Sequence, residues 1–347
     1  MNALRGVTAS NFGTALLKRG TVTETAGRTA RAFVLTLFLC FLLGGSITAF
    51  GVVVGKGIEP PLPDNVPGID RPFPKRKRDK FTFAILGDRT AGGSDWKVFD
   101  RAIQDINRLR PDFVVLVGDM IEGGSSNEEE IRRQWQEFVA HAQRIEVPLF
   151  FVPGNHDLST KAARTFWRTY IGRTYYGFDY RGYRFLFLNT EAATIGPQPQ
   201  FGTQQMLWLR DELEGAGDLP HVFLFMHRPA WRLSGGPTTD WQRIESWLRG
   251  VRHTVFAGHR HHLEYEMRNG NRYYIVGPTG AGASPHNVLE LAPYQHYTLV
   301  TVDGEDVYVS VLEPGQVAQL DHWTRRAVGA LVATTLTAVL WTLLIER

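Results

Sequence analysis

Residues 148–157 read PLFFVPGNHD, in which a short apolar run ends in a group of polar residues. The apolar part has the length and composition of a buried β-strand, and Gly154 lets the backbone turn directly after it. Asn155, His156 and Asp157 then place an amide, an imidazole and a carboxylate at the end of that strand. Ligands of open α/β sheets bind at the carboxyl ends of strands. This stretch therefore predicts a sheet that positions reactive side chains.

Four further polar clusters follow apolar runs in the same way. They are Gly87-Asp88-Arg89-Thr90, Gly118-Asp119, Met226-His227 and Gly258-His259-Arg260-His261. Each cluster taken singly fits an ordinary turn or a buried histidine, whereas five strand ends that all carry metal-ligand types are improbable as accidents. Oxygen ligands mixed with imidazole nitrogens suit Mn, Fe, Zn or Co, rather than Ca or a metal that prefers thiolates. The set therefore predicts a transition-metal site.

Apolar runs alternate with amphipathic stretches between these clusters. Helical spacing predicts helices at residues 96–110, 128–144, 203–214 and 240–249. Strands are predicted at residues 81–86, 113–117, 148–152, 183–188, 222–225, 254–257, 263–267, 273–276, 297–302 and 307–312. The aromatic side chains between residues 166 and 180 are expected in the core and at its rim. Because βα units come first and strands dominate later, we expect one α/β domain with two sheets and helices outside.

The order of the clusters resembles the calcineurin-like metallophosphoesterase family. Its motifs run Asp-x-His, Gly-Asp-x-x-Asp/Asn, Gly-Asn-His-Asp/Glu, a lone His and Gly-His-x-His, and the resemblance covers residues 81 to about 312. It implies a four-layer αββα sandwich and a site for two divalent or trivalent metal ions. The implied ligands are Asp119 as the bridge, Asp88 and His261 at the first ion, and Asn155, His227 and His259 at the second.

The resemblance also implies the reaction, which is hydrolysis of a phosphomonoester or phosphodiester by a metal-bound hydroxide. Two cations roughly 3.5–4 Å apart can share such a nucleophile and neutralise the phosphoryl oxygens. His156 is expected to protonate the leaving group or stabilise the transition state, and Asp157 to orient its imidazole. Arg89 has the right charge for a substrate phosphate, and equally for pairing with a surface carboxylate.

Two positions depart from the family pattern. Thr90 stands where the first motif ends in His, and Glu122 stands where the second motif has Asp or Asn. Because Thr is a poor metal ligand, we expect the first ion to be held more weakly than the second. Glu122 is expected to be a solvated loop acid rather than a member of the site.

Two uncharged apolar runs, residues 32–55 and 327–345, flank the predicted domain at residues 81–322. Each run is long enough to cross a bilayer, for which roughly 20 residues suffice. A cleaved signal peptide is the alternative for the first run, and a buried amphipathic helix for the second. Residues 56–80 are rich in Pro and basic side chains, which predicts a stalk.

Positive charge decides the expected orientation. Residues 1–31 contribute +4 to the net charge, which puts this tail in the cytoplasm and the domain outside the cell membrane. Residues 71–80 contribute +5, so the total of +3 leaves −6 for the rest of the chain. The basic charge therefore belongs to the flanks, and we expect the lipid bilayer, not nucleic acid, as a partner. The single Cys40 excludes a disulfide framework and a multi-Cys metal site.

Attachment near the bilayer makes a lipid-linked phosphate or an envelope precursor an attractive substrate. Two alternatives stay open at this point. A non-catalytic sandwich that binds a phosphorylated ligand is favoured by Thr90, and a cytoplasm-facing nucleotide phosphodiesterase is favoured by Arg325 and Arg326 on the domain side of the second run.

Overall fold

The computed structural model describes residues 67–69, 71–74, 80–91, 93–192, 201–232, 240–282 and 295–317. The predicted tail, both apolar runs and most of the predicted stalk lie outside these residues. Among the helices of the described part of the chain, none combines the length and the apolar character that crossing a membrane requires. Attachment to the bilayer therefore stays a prediction.

Two six-stranded mixed sheets form the centre of the domain. The first has the order β1 (Gly68–Ile69), β4 (Leu149–Phe151), β3 (Phe113–Leu116), β2 (Phe81–Leu86), β11 (Tyr297–Asp303) and β12 (Asp306–Leu312). The second has the order β5 (Tyr176–Tyr180), β6 (Tyr183–Leu188), β7 (Val222–Met226), β8 (His253–Ala257), β10 (Asn271–Ile275) and β9 (Glu264–Arg268). Strands β2, β3 and β4 are parallel, as are β6, β7, β8 and β10, so the carboxyl ends within each set share one edge.

Aromatic side chains fill the space between the two sheets. Because side chains alternate along a strand, Phe81, Phe83 and Ile85 of β2 share the inner face and join the buried cluster there. The ring of Phe83 lies 5.6 Å from that of Phe185 and 5.2 Å from that of Phe223, both edge-on. Edge-on aromatic pairs stabilise the stacking of the sheets beyond what area burial contributes.

Helices cover the outer faces of both sheets. They are α1 (Trp96–Leu109), α2 (Glu128–Ala142), α3 (Lys161–Phe166), α4 (Thr203–Leu213) and α5 (Asp240–Trp247). Phe138 of α2 packs against Phe151 of β4 with ring centroids 5.6 Å apart. Leu209 of α4 and Ile244 of α5 join Leu224 of β7 in one buried cluster on the second sheet. The α/β class and the two-sheet core are confirmed, with helices on both outer faces.

The first helices begin at side-chain caps. Asp95 accepts a hydrogen bond from the N–H of Lys97 at 2.8 Å, and Asn127 accepts one from Glu129 at 2.9 Å. Both caps satisfy N–H groups that have no partner within the helix. Three glutamates then occupy the first turn of α2, where negative charge stabilises the helix dipole.

The fold contains two strands and one helix that sequence reasoning did not assign. Gly68–Ile69 pairs with β4, and the ring of Phe73 lies 4.7 Å from that of Tyr180, so the described part of the predicted stalk packs on the domain. Strand β5 lies within the aromatic stretch that was expected in the core and rim. Helix α3 precedes it and continues into a π-helical turn at Trp167–Ile171.

Candidate metal centre

The five polar clusters meet at one edge of the sandwich. The clusters around Asp88, Asp119 and Asn155 follow the neighbouring parallel strands β2, β3 and β4, while His227 and His259 follow the neighbouring strands β7 and β8. The convergence thus follows from strand direction, because parallel neighbours end at the same edge.

Two glycines of the motifs, Gly154 and Gly258, leave room for the aspartate side chains that lie against their backbone. A Cβ atom on Gly154 would lie 2.2 Å from Oδ1 of Asp119, and one on Gly258 would lie 2.3 Å from Oδ1 of Asp88. Asp119, His259 and His261 themselves adopt left-handed backbone, with φ of 55°, 72° and 54°. Such conformations cost free energy for residues that carry a Cβ, and they concentrate at functional sites.

One group of candidate ligands converges on His227. Its Nδ1 lies 2.9 Å from the carbonyl oxygen of Val117, which can only accept, so we assign one proton to Nδ1, and Nε2 is the nitrogen that can take either a second proton or a metal ion. That Nε2 lies 3.0 Å from Oδ1 of Asn155, 3.2 Å from Nδ1 of His259 and 3.3 Å from Oδ2 of Asp119. Four atoms of metal-ligand type therefore point at one small region.

A second group contains Asp88, Asp119 and His261. Oδ2 of Asp88 lies 3.1 Å from Nε2 of His261, whose Nδ1 lies 2.6 Å from the carbonyl oxygen of Gly282. The ligand atoms of this group lie within 4.8 Å of one another, as do those of Asp119, His227 and His259. Asp119 thus belongs to both groups, in the place that a bridging carboxylate would occupy.

Two buried groups of opposite charge, Asp119 and His227, face each other in the site. Burial lowers the pKa of His227, but the charge and hydrogen bond of Asp119 outweigh it and raise that pKa to about 10. Burial likewise raises the pKa of Asp119, but His227 and His156 outweigh it and lower that pKa to about 2. A proton on His227 thus compensates a buried carboxylate, and a metal ion can take its place. The donor set fits two transition-metal ions.

The two remaining imidazoles have opposite surroundings. Burial, followed by the neighbouring positive charges of His227 and Arg228, lowers the pKa of His259 to about 3. Burial also lowers the pKa of His261, but the hydrogen bond and charge of Asp88 outweigh it and raise the pKa. His259 is therefore neutral near pH 7, which is the form that binds metal ions.

His156 is oriented by a backbone carbonyl and not by Asp157. Its Nδ1 lies 2.7 Å from the carbonyl oxygen of Glu122, and its main-chain N–H donates to Oδ1 of Asp119 at 2.9 Å. The carboxylate of Asp157 accepts instead from four main-chain N–H groups, those of Asp119, Met120, Ile121 and Gly154, at 2.8–3.2 Å. The expectation that Asp157 orients His156 is thereby corrected: these contacts tie the β3 loop to the β4 loop.

Arg89 is buried beside the site. Its Nε donates to the carbonyl oxygen of Met120 at 2.8 Å, and its guanidinium lies 4.1 Å from the centre of the Trp96 ring. Burial lowers the pKa of Arg89. These contacts hold the residue after Asp119 in place, while binding of a substrate phosphate by Arg89 stays a prediction.

The two departures from the family pattern lie next to each other. The hydroxyl of Thr90 is 3.3 Å from that of Ser94, which donates to the carboxylate of Glu122 at 2.5 Å. Burial raises the pKa of Glu122, but hydrogen bonds from Ser94 and Thr90 outweigh it and lower the pKa. Glu122 is exposed, as expected. It is nevertheless linked through Ser94 to Thr90, which stands where the family has a histidine.

Sequence reasoning did not single out Arg228. Its Nε donates to Oε1 of Glu191 at 2.7 Å, and its Nη1 lies 3.1 Å from Nε2 of His259. Asn189 caps the loop at this point, because its side-chain oxygen accepts a hydrogen bond from the main-chain N–H of Glu191 at 2.7 Å. The available signal for Arg228 was its position directly after His227 at a strand end.

Comparison with known proteins identifies the family of the chain. The family described as Calcineurin-like phosphoesterase matches residues 81–263, which is more than half of the chain. The serine/threonine-protein phosphatase CPPED1 of Danio rerio is 28% identical over 200 residues, covering 51% of this chain and 64% of that protein. The chain therefore spans less than two thirds of that relative. The probable glycerophosphodiester phosphodiesterase GpdQ of Arcobacter nitrofigilis is 24% identical over 242 residues, covering 66% of this chain and 80% of that protein.

The fold also resembles a solved structure described as GAP50, the anchor in the inner membrane complex of Plasmodium. The TM-score is 0.51 at 14% identity, covering 68% of this chain and 85% of the other, so this likeness concerns the fold alone. The family depends on a dinuclear metal centre, for which the two groups around Asp119 are the candidate ligands. The chain thus belongs to the calcineurin-like phosphoesterase family.

Proposed function

We propose that this protein hydrolyses a phosphomonoester or phosphodiester at the two ligand groups that share Asp119. The observation that carries the proposal is this sharing, because one carboxylate in two groups is the arrangement that keeps two cations close together. The relatives named above are a phosphatase and a phosphodiesterase by description, so both ester types are within the proposal.

Each ligand residue has a definite part in this proposal. Asp88 and His261 would hold the first ion, Asn155, His227 and His259 the second, and Asp119 both. Bound ions would supply Lewis acidity at the phosphoryl oxygens and lower the pKa of water. The carbonyl oxygens of Val117 and Gly282 engage Nδ1 of His227 and of His261, so Nε2 of each imidazole would be the nitrogen that holds an ion.

His156 would carry the proton to the leaving oxygen. Its Nδ1 is engaged by the carbonyl oxygen of Glu122, so Nε2 is the nitrogen available for proton transfer. The hydrogen bond from its main-chain N–H to Asp119 holds the imidazole at a fixed position relative to the shared carboxylate. Asp157 and Arg89 would act as positioning residues, since both bind the backbone of the loop that carries Asp119.

The direct test is a hydrolysis assay on the full-length protein in detergent. We expect cleavage of p-nitrophenyl phosphate or of bis(p-nitrophenyl) phosphate that is lost with a chelator and restored by Mn, Fe, Zn or Co. A metal-stripped protein that is as active as the reconstituted one contradicts the proposal.

We further propose that residues 32–55 and 327–345 anchor the protein in the cell membrane, with the domain outside. Support comes from the basic residues before the first run and from the uncharged length of both. A lipid-linked or cell-envelope phosphoester then becomes the nearest substrate. A topology reporter fused after residue 80 tests the orientation, and activity of a cytoplasmic reporter would favour the soluble-nucleotide alternative.

A further inference from the structure

A cavity of about 410 Å³ is lined by residues of the segments that follow the Gly-Asn-His-Asp motif and strand β6. Leu158 and Glu191 both line the cavity and relate it to the site. Leu158 follows the Gly-Asn-His-Asp motif directly, while Glu191 is bound to Arg228, which in turn contacts His259. The cavity therefore adjoins the segment that carries His156 through Leu158, and it is linked to the second ligand group through Glu191 and Arg228.

Two arginines give this cavity a positive charge. Arg164 and Arg168 both line it, four residues apart on the segment of α3 and the π-helical turn. Within the described ranges, no carboxylate oxygen comes within 4.0 Å of either guanidinium. Nε of Arg164 donates to the carbonyl oxygen of Leu158 at 2.8 Å, which fixes its side chain at the wall. Among the described residues that line the cavity, the acidic side chain is that of Glu191, which pairs with Arg228.

We propose that this cavity receives the leaving group of the substrate and selects leaving groups that carry a carboxylate or a second phosphate. The inference rests on the proposed function and specifies its substrate class. Guanidinium groups bind such anions through charge-assisted and often bidentate hydrogen bonds. The volume falls within the range of about 300–1,000 Å³ that is typical of small-molecule sites.

Polar groups complete the lining and set the kind of leaving group. Hydroxyl and amide groups of the cavity lining come from Thr174, Thr203 and Gln204. A leaving group of headgroup size with hydrogen-bonding atoms fits this surface, whereas an acyl chain would leave these polar groups without partners.

A pair of substrates that differ only in charge tests the inference. We would compare 3-carboxyphenyl phosphate with 3-carbamoylphenyl phosphate on the full-length, metal-loaded protein. The double variant Arg164→Gln/Arg168→Gln should lower kcat/KM for the carboxylate ester by about tenfold and change that for the amide ester by less than about twofold. The matched control is Arg173→Gln, an exposed arginine of the next loop that does not line the cavity.

A binding measurement gives a readout that does not depend on turnover. Calorimetry with 3-carboxybenzylphosphonate and its carbamoyl analogue should show the same loss of preference in the double variant. Equal effects on both esters, or no preference in the wild-type protein, overturn the inference while metal-dependent cleavage of both esters leaves the proposed function standing. A metal-loaded wild-type protein that cleaves neither these two esters nor bis(p-nitrophenyl) phosphate overturns the proposed function, and this inference with it.

Discussion

Oδ2 of Asp119 lies 3.3 Å from Nε2 of His227, and both side chains are almost completely removed from solvent. Each side chain stabilises the charged form of the other, which is why the pKa of the imidazole is raised to about 10 and that of the carboxyl is lowered to about 2. A buried charge that loses its partner is strongly destabilising. This contact therefore makes Asp119 the most sensitive position of the site.

Asp119→Asn should lower kcat by about 1,000-fold or more, because both ligand groups lose their shared negative charge. The measurement is turnover of bis(p-nitrophenyl) phosphate with saturating Mn, together with circular dichroism to show that the fold is retained. Asp211→Asn is the matched control, since Asp211 is exposed and pairs with Arg210 on the surface. Wild-type-like turnover of Asp119→Asn would falsify the assigned site.

The protein should bind two metal ions with unequal affinity. Thr90 offers no imidazole to the first group, so we expect the ion there to dissociate at a concentration roughly ten times higher than the second. Equilibrium dialysis of the full-length protein with metal analysis measures both affinities. Two ions that are bound equally tightly contradict the expectation, and Thr90→His should narrow the difference if the imidazole is what is missing.

His156→Ala should affect esters according to their leaving groups. An alkyl phosphate needs protonation of its leaving oxygen, so its kcat should fall by about 100-fold or more, while that of a nitrophenyl ester should fall far less. The comparison of the two substrates is the measurement, and His156→Gln serves as the second variant. Equal losses on both substrates point to a role in binding rather than in proton transfer.

Asp157→Asn should act on stability. Its carboxylate accepts from four main-chain N–H groups, and an amide offers only one oxygen to accept them. We expect the free energy of unfolding of the metal-free protein to fall by about 2–4 kcal/mol, measured by urea denaturation. His156→Ala should lower the free energy of unfolding much less in the same experiment. If the two variants prove equally stable, Asp157 is not the connection between the loops.

The lowered pKa of His221 predicts that the folded protein loses stability in acid. Burial, followed by the positive charge of His253, lowers the pKa of His221 to about 3 in the folded protein, against about 6.5 when unfolded. The unfolded chain therefore binds the extra proton first, and stability falls as the pH drops from 6.5 toward 3. At pH 5 the loss is about 2 kcal/mol.

The difference in unfolding free energy between the wild-type protein and His221→Asn, followed by urea denaturation from pH 8 to pH 5, isolates this contribution. The variant should be less sensitive to acid by the stated amount. Parallel pH curves for the two proteins would show that His221 is not the group responsible.

The sequence was sufficient to predict which residues surround the site, because the five motifs each follow a strand and parallel strands end together. The sequence was not sufficient to predict the hydrogen-bond partners of Asp157. The N–H of Asp119 is 38 residues away along the chain, and it comes within reach only when both loops have folded. Arg228 was missed for the same reason, as its contacts with Glu191 and His259 join three separate strand ends.

Local sequence also explains the elements that were missed. Strand β5 reads YGFDY, in which Gly177 and Asp179 disfavour a strand, and pairing with β6 overrides that propensity. Strand β1 has two residues, too few for any alternating pattern. Both elements lie at sheet edges, where the neighbouring strand and not the local sequence decides the structure.

The left-handed backbone at Asp119, His259 and His261 has a consequence for which residues these positions can accept. A β-branched side chain fits this conformation worse than an aspartate or a histidine does, because the extra atom on its Cβ crowds the backbone. Each of the three positions is therefore restricted twice, by the ligand atom that it offers and by the backbone that it must adopt.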